Sequence, residues 1–367
     1  MEIEIGKLIK KAKLIRCGDG EDPVLSMTMH DGLMFQNDRF KKQIASIDQS
    51  QYQVVHRHQL VESFPIDEGV LAVQELTDMG IVSPAYKIWD VDMEKVVPKY
   101  LEFALRAPRS IEYYKSKLRG TTARRRSIPD AEFCAMRIEY PSLNEQKIIV
   151  DIIEKAKQVI NLRSLELDTL DALIKARFVE LFGDPVSNSY GLPEATLPEL
   201  GEFGRGISKH RPRNDSELLG GEYPLIQTGD VANAGLYITS YNSTYSELGL
   251  KQSKMWEKGT LCITIAANIA KTAILTFDAC FPDSVVGFTA NEKTNNIFIH
   301  YWFLFFQAIL ESQAPESAQK NINLKILSEL RVIVPEKEKQ DEFVDFIKQV
   351  DKSKFIVIEG KNYEKHI

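Results

Sequence analysis

Four cysteines in 367 residues, Cys17, Cys134, Cys262 and Cys280, are too few and too scattered for a disulfide framework, and no CxxC pair is present for a zinc knuckle or a dithiol. No apolar run approaches the roughly 20 residues that a bilayer span requires. The opening Met1-Glu2-Ile3-Glu4 is acidic and lacks the basic-then-apolar order of a secretory leader, so a reducing cytoplasm is the expected compartment. Cofactor signatures are missing as well. Without a GxxxxGK[ST] loop the chain has no phosphate cradle for ATP hydrolysis, and it carries no GxGxxG fingerprint. Nor is there an Asn/Asp-Pro-Pro-aromatic tetrad of the kind with which amino-methyltransferases hold a target base. His56 and His58 alternate on an expected strand but find no third ligand, and Pro282-Asp283 with Glu292-Lys293 lacks the spacing of a nuclease core. No catalytic residue, cofactor or metal is expected. A formal charge of −6 gives no overall attraction for a polyanion, so any nucleic-acid contact must rest on a local basic face.

What the chain does have is a copy of itself. A shift of about 194 positions aligns 128–153 with 322–347 without a gap. Ile128/Ile322, Arg137/Arg331, Pro141/Pro335, Gln146/Gln340, Val150/Val344, Asp151/Asp345 and Ile153/Ile347 are identical. Both stretches read as an alternating strand ending at a proline, a polar turn and a helix. Weaker echoes pair 23–28 with 224–228, 68–73 with 258–263, and 80–82 with 284–286. From about 144 to 182 apolar residues recur every three or four positions, at Ile149, Ile152, Ala156, Val159, Leu167, Leu170, Ile174, Phe178 and Leu181, with Gly183 and Pro185 as a stop. Ile148, Ile153, Ile160, Leu165 and Leu173 flank this line and make it wider than one helix–helix seam needs, which marks them as candidates for docking another subunit. Roughly 38 residues of helix extend about 57 Å. Phe343, Phe346, Ile347, Val350 and Val357 begin a similar, shorter helix. The expected layout is a domain at 1–143, a spacer helix at 144–185, a domain at 186–335 and a second helix at 336–367. Its fold class is α/β: two mixed α/β domains related by a pseudo-twofold repeat, with long helices packing as an antiparallel, coiled-coil-like pair.

Positive charge gathers in each half. Arg106, Arg109, Lys115, Lys117, Arg119, Arg124, Arg125 and Arg126 share a window with one acid, Glu112, and Gly120-Thr121-Thr122-Ala123 breaks the preceding helix into a loop. Threonine hydroxyls and guanidinium forks suit phosphates and guanine edges, so Thr121, Thr122, Arg124, Arg125 and Arg126 are candidate DNA contacts. In the second half the corresponding place holds Gln319-Lys320-Asn321, and a stronger cluster, Lys209-His210-Arg211-Pro212-Arg213, lies earlier. Gln227 and Thr228 follow a strand-like run and complete the candidate set.

These residues resemble a known family. The runs 206–213 and 221–231, then 259–270 with 281–288, are similar to a target-recognition domain of type I restriction–modification specificity subunits. The Gln319-Lys320-Asn321-Ile322 run, the Pro-x-x-x-x-Gln entry into each helix, and 165–173 running into Phe182-Gly183-Asp184-Pro185 extend the resemblance over nearly the whole chain. It implies two target-recognition domains that each read half of a split site on double-stranded DNA, with the helices setting the gap. It also implies a non-catalytic subunit that docks methylation subunits, two in number, and restriction subunits, which bring S-adenosylmethionine, the nuclease and the motor. The last helix lacks a counterpart of 165–182, so a shortened second spacer is expected. Two alternatives stay open: the recognition subunit of a type II system with a fused nuclease–methylase partner, and a coiled-coil scaffold that binds protein.

Overall fold

The computed structural model describes residues 1–18, 22–39, 49–118, 126–313 and 322–364. The chain forms two compact units, Met1–Val159 and Ile160–Ile367. Unit one runs through β1 (Glu2–Glu4), β2 (Ile9–Lys11), β3 (Leu25–Met27), β4 (Leu33–Phe35), α1 (Gln36–Arg39), β5 (Gln53–His56), β6 (Leu60–Glu62), β7 (Leu71–Val73), β8 (Met79–Val82) and β9 (Lys87–Val91). It continues through α2 (Pro98–Arg106), α3 (Pro108–Lys117), α4 (Asp130–Ala135) and β10 (Arg137–Glu139) into α5 (Leu143–Phe182), a helix of 40 residues in which the boundary between the units falls. Unit two holds β11 (Glu194–Thr196), α6 (Leu197–Leu200), β12 (Gly201–Arg205), β13 (Leu219–Leu225), α7 (Thr228–Asn233), β14 (Tyr237–Ile238), β15 (Ser243–Tyr245), α8 (Glu247–Lys251) and β16 (Met255–Trp256). Then come β17 (Leu261–Thr264), β18 (Thr272–Leu275), β19 (Ala279–Cys280), β20 (Val285–Ala290), α9 (Asn296–Gln313), α10 (Leu324–Glu329), β21 (Arg331–Ile333) and α11 (Lys337–Glu364).

The two units are one topology used twice. Unit one has a sheet of order β2-β9-β6-β7, and unit two has β12-β20-β17-β18 with β14 added at the edge. In both, the first strand makes a two-stranded ribbon with the last, Glu2 opposite Glu139 and Glu194 opposite Ile333. A second layer repeats as well. Val24 bridges Ile81 in parallel and β8 pairs antiparallel with β5; Leu225 pairs with Cys280 in parallel and β19 pairs antiparallel with β16. This order corrects two of the sequence echoes. Leu71–Val73 is β7, whose counterpart is β18 and not β17, and β8 corresponds to β19 and not to the start of β20. Short buried strands all present the same apolar run of three or four residues, so similarity alone slides one onto another; hydrogen-bond order separates them. The echo of 23–28 in 224–228 holds, because Val24 and Leu225 make the equivalent parallel bridge.

Each unit has its own core. In unit one Trp89, Leu101, Tyr114 and Phe133 are buried, with the Trp89 and Phe133 rings 5.4 Å apart. In unit two Phe178 and Phe182 of α5 meet Phe298 of α9 and Phe343 of α11 at centroid distances of 5.1–5.7 Å. Along α5 and α11, Arg177 bonds Glu342 and Lys354 bonds Asp171 at 2.5 Å, while Phe178 and Phe182 both touch Phe343. Contacts that climb one helix as they descend the other make the pair antiparallel, as expected. Gly183 ends α5 at φ 74, a left-handed C-cap that costs glycine no Cβ strain.

The apolar line on α5 departs from expectation in its middle. Ile174 and Phe178 are buried, but Ile152 is 55% exposed and Val159 39% exposed, whereas the flanking Ile153 and Ile160 are half-buried. A 3.6-residue helix drifts by about 20° per heptad, so one apolar line cannot face the core along all 40 residues. His58 also differs: it sits in the turn after β5 with φ 68, outside any strand.

One side chain repeats with its whole environment. Gln146 is fully buried; its Nε2 donates to the carbonyl of Pro141 and its Oε1 accepts from the backbone N–H of Val97, both at 2.9 Å. Gln340 is likewise fully buried, donates to Pro335 and Lys293 carbonyls at 2.9 and 3.0 Å, and accepts from the Thr294 hydroxyl at 3.0 Å. The amide ties the first turn of each long helix to the strand before it and to the approach to an earlier helix, α2 in unit one and α9 in unit two. Replacing either glutamine by leucine strands two or more buried backbone groups, each costing about 1–3 kcal/mol. Gln146→Leu and Gln340→Leu are each expected to lower the urea midpoint of their own unit, read by amide hydrogen exchange. A variant with unchanged protection would contradict this account of the Pro-x-x-x-x-Gln repeat.

Candidate nucleic-acid interface

The strongest basic loop leaves β12 at Arg205. Gly206 donates its N–H to the carbonyl of Val285 at 2.9 Å, and a Cβ there would lie 2.4 Å from the carbonyl oxygens of Phe281 and Pro282, so the crossover can pass only as glycine. Two further N–H groups, of Lys209 and His210, both donate to Gln252 Oε1 at 2.7 and 3.1 Å. Ser253 Oγ donates to the Ile207 carbonyl at 2.8 Å. The backbone is thus pinned while Lys209, His210, Arg211 and Arg213 remain exposed.

Asp283 organises the arginines. Its carboxylate ion-pairs with Arg213 and lies 3.6 Å from Arg211, and its carbonyl accepts from Arg205 Nε at 2.6 Å. Arg211 also donates to the carbonyls of Ser208 and His210 at 2.6 and 2.7 Å. His210 Nε2 approaches Asp215 at 3.2 Å; that carboxyl is held below its ordinary range by the Glu217 N–H and by His210. In the sequence Asp283 stood out only for a faint nuclease spacing. Its role as a counter-ion for a loop some 70 residues earlier leaves no local signal.

Gln227 and Thr228 reach the same place from another strand. Gln227 opens α7 with a reciprocal capping box to Asp230, which in turn accepts from Asn242 Nδ2 at 2.8 Å. A cavity of about 180 Å³ is lined by Ser208, Arg213, Gln227, Thr228, Tyr245 and Ser284 among others, so three of the expected contacts share one concave surface. The Ser208 hydroxyl is buried and has no hydrogen-bond partner among the described residues. Beside it opens a polar cleft of about 470 Å³ that includes Gln227, Asn233, Thr239, Ser240 and Asn242. Of these, Asn233, Thr239, Ser240 and Asn242 were not among the sequence candidates, because isolated Asn and Ser in a loop read as turn residues.

Unit one is different. Arg126 is half-buried, with Nε on Asp67 at 2.9 Å and Nη2 on Glu68 at 2.7 Å, and its carbonyl accepts from Ile66 N–H. Arg109 pairs with Glu2 at 2.7 Å, Lys117 with Glu132 at 3.0 Å and Arg106 with Glu102 at 3.5 Å. Four cations of a window that looks acid-poor along the chain are thus paired, three of them with acids from other elements. Thr121, Thr122, Arg124 and Arg125 lie outside the described residues, as do Gln319, Lys320 and Asn321. Of the docking candidates, Ile148, Leu165 and Leu173 are 59%, 62% and 47% exposed, while Ile153 and Ile160 are half-buried. No group of three or more His, Cys, Asp or Glu side chains that would hold a metal ion occurs among the described residues, and no described helix is long and apolar enough to cross a membrane.

The family model for the type I restriction modification DNA specificity domain matches residues 194–364. A curated protein of Methanocaldococcus jannaschii, named for the type I restriction enzyme MjaX specificity subunit, is 22% identical over 284 residues. That match covers 74% of this chain but 64% of the archaeal protein, less than two thirds of its length. Two solved structures share this architecture. One comes from work on complex assembly and conformational transition of the type I R-M system (15% identity, TM-score 0.61, all of this chain and 94% of that one). The other is a type I restriction–modification system S subunit from M. genitalium (13% identity, TM-score 0.59, all of this chain and 92% of that one). At such identities the likeness shows the fold alone.

Replacing Asp283 by asparagine removes the counter-charge from two exposed guanidinium groups without disturbing a buried contact of the core. Asp283 is half-buried but its guanidinium partners are exposed, and ion pairs open to solvent contribute about 0–1 kcal/mol, so folding should barely change. Asp283→Asn is expected to elute from heparin at higher salt than the unmodified chain, with the same melting temperature. Earlier or unchanged elution would show that the two arginines do not form the polyanion-facing surface.

Proposed function

We propose that this chain is the sequence-specific DNA-recognition subunit of a type I restriction–modification enzyme. In this reading it selects a bipartite site on double-stranded DNA and docks two methylation subunits and the restriction subunits, with no catalytic group or cofactor of its own. The observation that carries the reading is the convergence of Arg213, Gln227, Thr228 and Ser208 on one cavity, inside the unit that matches a DNA specificity domain. A guanidinium fork suits guanine O6 and N7, and a carboxamide suits adenine N6 and N7. Lys209 and His210 stand beside them as phosphate contacts. Arg211, Arg126, Thr121, Thr122, Arg124, Arg125, Gln319, Lys320 and Asn321 complete the proposed set, distributed over recognition segments 1–143 and 186–335. For docking, Ile148, Leu165 and Leu173 present large apolar side chains to solvent on α5, where a monomer gains nothing by exposing them.

Co-expression with its methylation partner in a methylation-free host, followed by methylome sequencing, is expected to reveal a split motif. Lys209→Ala is expected to relax or weaken one half of that motif and leave the other intact. An unsplit motif, or methyl transfer by the isolated chain with labelled S-adenosylmethionine, would overturn the proposal. Docking has its own test. A large apolar side chain buried at an interface contributes about 1.5–3 kcal/mol, or roughly 10- to 100-fold in affinity. Ile148→Asp and Leu165→Asp should therefore each weaken the methylation-subunit complex at least tenfold by titration calorimetry, with no change in the chain's own melting. Full-affinity complexes would place the docking surface elsewhere.

A further inference from the structure

The repeat locates a contact that the local sequence hides. In unit two the basic crossover begins where the register of β12 with β20 ends: Arg205 lies opposite Val286, and the next residue, Gly206, donates to the Val285 carbonyl. In unit one Lys11 lies opposite Trp89 in β9, and the next residue, Ala12, donates to the Ile88 carbonyl at 3.0 Å. Gly206 and Ala12 are 194 positions apart, the same offset that relates Ile322 to Ile128. From there the paths stay parallel. The crossover of unit two is held at Ile207, Lys209 and His210 by Gln252 and Ser253, just ahead of β16. That of unit one is held at Ile15 and Cys17 by Val54 and Tyr52, at the start of β5, with Arg16 bridging Gln53. As β5 is the counterpart of β16, the segment 12–17 occupies in unit one the place that the Lys209-to-Arg213 loop occupies in unit two.

Its chemistry matches its place. Lys7, Lys10, Lys11, Lys13 and Arg16 are exposed, and the chain from Ile5 to Gly18 contains no acid. Lys11 is taken by Asp130, at 2.5 Å, in a network that also holds Lys87 and the buried Glu62. Lys7, Lys10, Lys13 and Arg16 have no ion pair among the described residues, in contrast to Arg106, Arg109, Lys117 and Arg126. Between the free cations, Leu14 and Ile15 are 57% and 47% exposed although the core of unit one lies a few residues away. Exposed aliphatic side chains set between cations fit a duplex groove: ammonium and guanidinium groups take phosphates, and the aliphatic groups take thymine methyl edges.

We infer that Lys10, Lys13, Leu14, Ile15 and Arg16 are the duplex-contacting crossover of the first unit, with Lys10, Lys13 and Arg16 on phosphate and Leu14 and Ile15 against the bases. This rests on the proposed function. It is tested with the full chain in complex with its methylation subunit, on duplexes carrying the motif found by methylome sequencing, by fluorescence anisotropy across a salt series. Lys13→Ala/Arg16→Ala is expected to reduce the slope of log affinity against log salt by about two units, close to one per phosphate released. Leu14→Ser/Ile15→Ser is expected to leave the slope intact and to lower the preference for one half of the motif by about tenfold. All four residues are exposed, so an unchanged melting temperature accompanies both results. If the unmodified complex shows no salt-dependent selectivity for any duplex, the functional reading fails and takes this inference with it. If the unmodified complex is selective and Lys209→Ala weakens it, while the two double variants keep full slope and full selectivity, the functional reading stands and the first unit reads DNA through another surface.

Discussion

A buried carboxamide at the start of each long helix is the constraint on which the arrangement depends. Gln146 and Gln340 each spend their hydrogen-bonding groups on a proline carbonyl five residues back and on backbone or hydroxyl groups at the approach to α2 or α9. A fully buried amide has one satisfactory orientation, since a buried group left unpaired costs more than a made bond contributes. Strand, turn and helix are therefore locked as a unit in both copies. The ribbons Glu2–Glu4 with Arg137–Glu139, and Glu194–Thr196 with Arg331–Ile333, follow from that lock, because each brings the first strand of a unit back to the strand that feeds its helix. The crossovers at 12–17 and 206–213 follow in turn, for each begins one strand later.

Part of this was legible in the chain alone. The gap-free repeat of 128–153 in 322–347 is visible because buried carboxamide, proline and core isoleucine must keep their spacing. The 40-residue helix is visible because its 3.6-residue period outlasts any turn signal. Strand correspondence was not legible: Leu71–Val73 and Leu261–Thr264 look alike because both are buried on two faces, yet they occupy different places in their sheets. Charge was legible only as sequence density. The window from Arg106 to Arg126 looked free because its carboxylates, Glu2, Asp67, Glu68, Glu102 and Glu132, come mostly from other elements. The crossover at 10–16 was overlooked for the opposite reason. Its cations are interleaved with aliphatic residues, and only the hydrogen-bonded path reveals what stands in the equivalent place of the other unit.

Function on this account needs no reactive group. A pinned backbone holds exposed cations, a single carboxylate at Asp283 sets the direction of two guanidinium forks, and neighbouring carboxamides supply donors and acceptors in a concave polar surface. Rigidity comes from the two cores, and the crossovers lie outside them. Substitutions in the crossovers can then change what is read without disturbing Trp89, Phe133, Phe178 or Phe343 beneath them. The exposed apolar side chains of α5, proposed above as a docking surface, sit on an element that contributes to a core in each unit.

The central claim is that two copies of one fold present the same crossover to the same duplex. Lysine acetylation of the full chain with its methylation subunit, quantified by mass spectrometry with and without the recognised DNA, addresses it most directly. The account predicts that Lys10, Lys13 and Lys209 lose reactivity together when DNA is added. Loss confined to Lys209, with Lys10 and Lys13 as reactive as in the free protein, would contradict it.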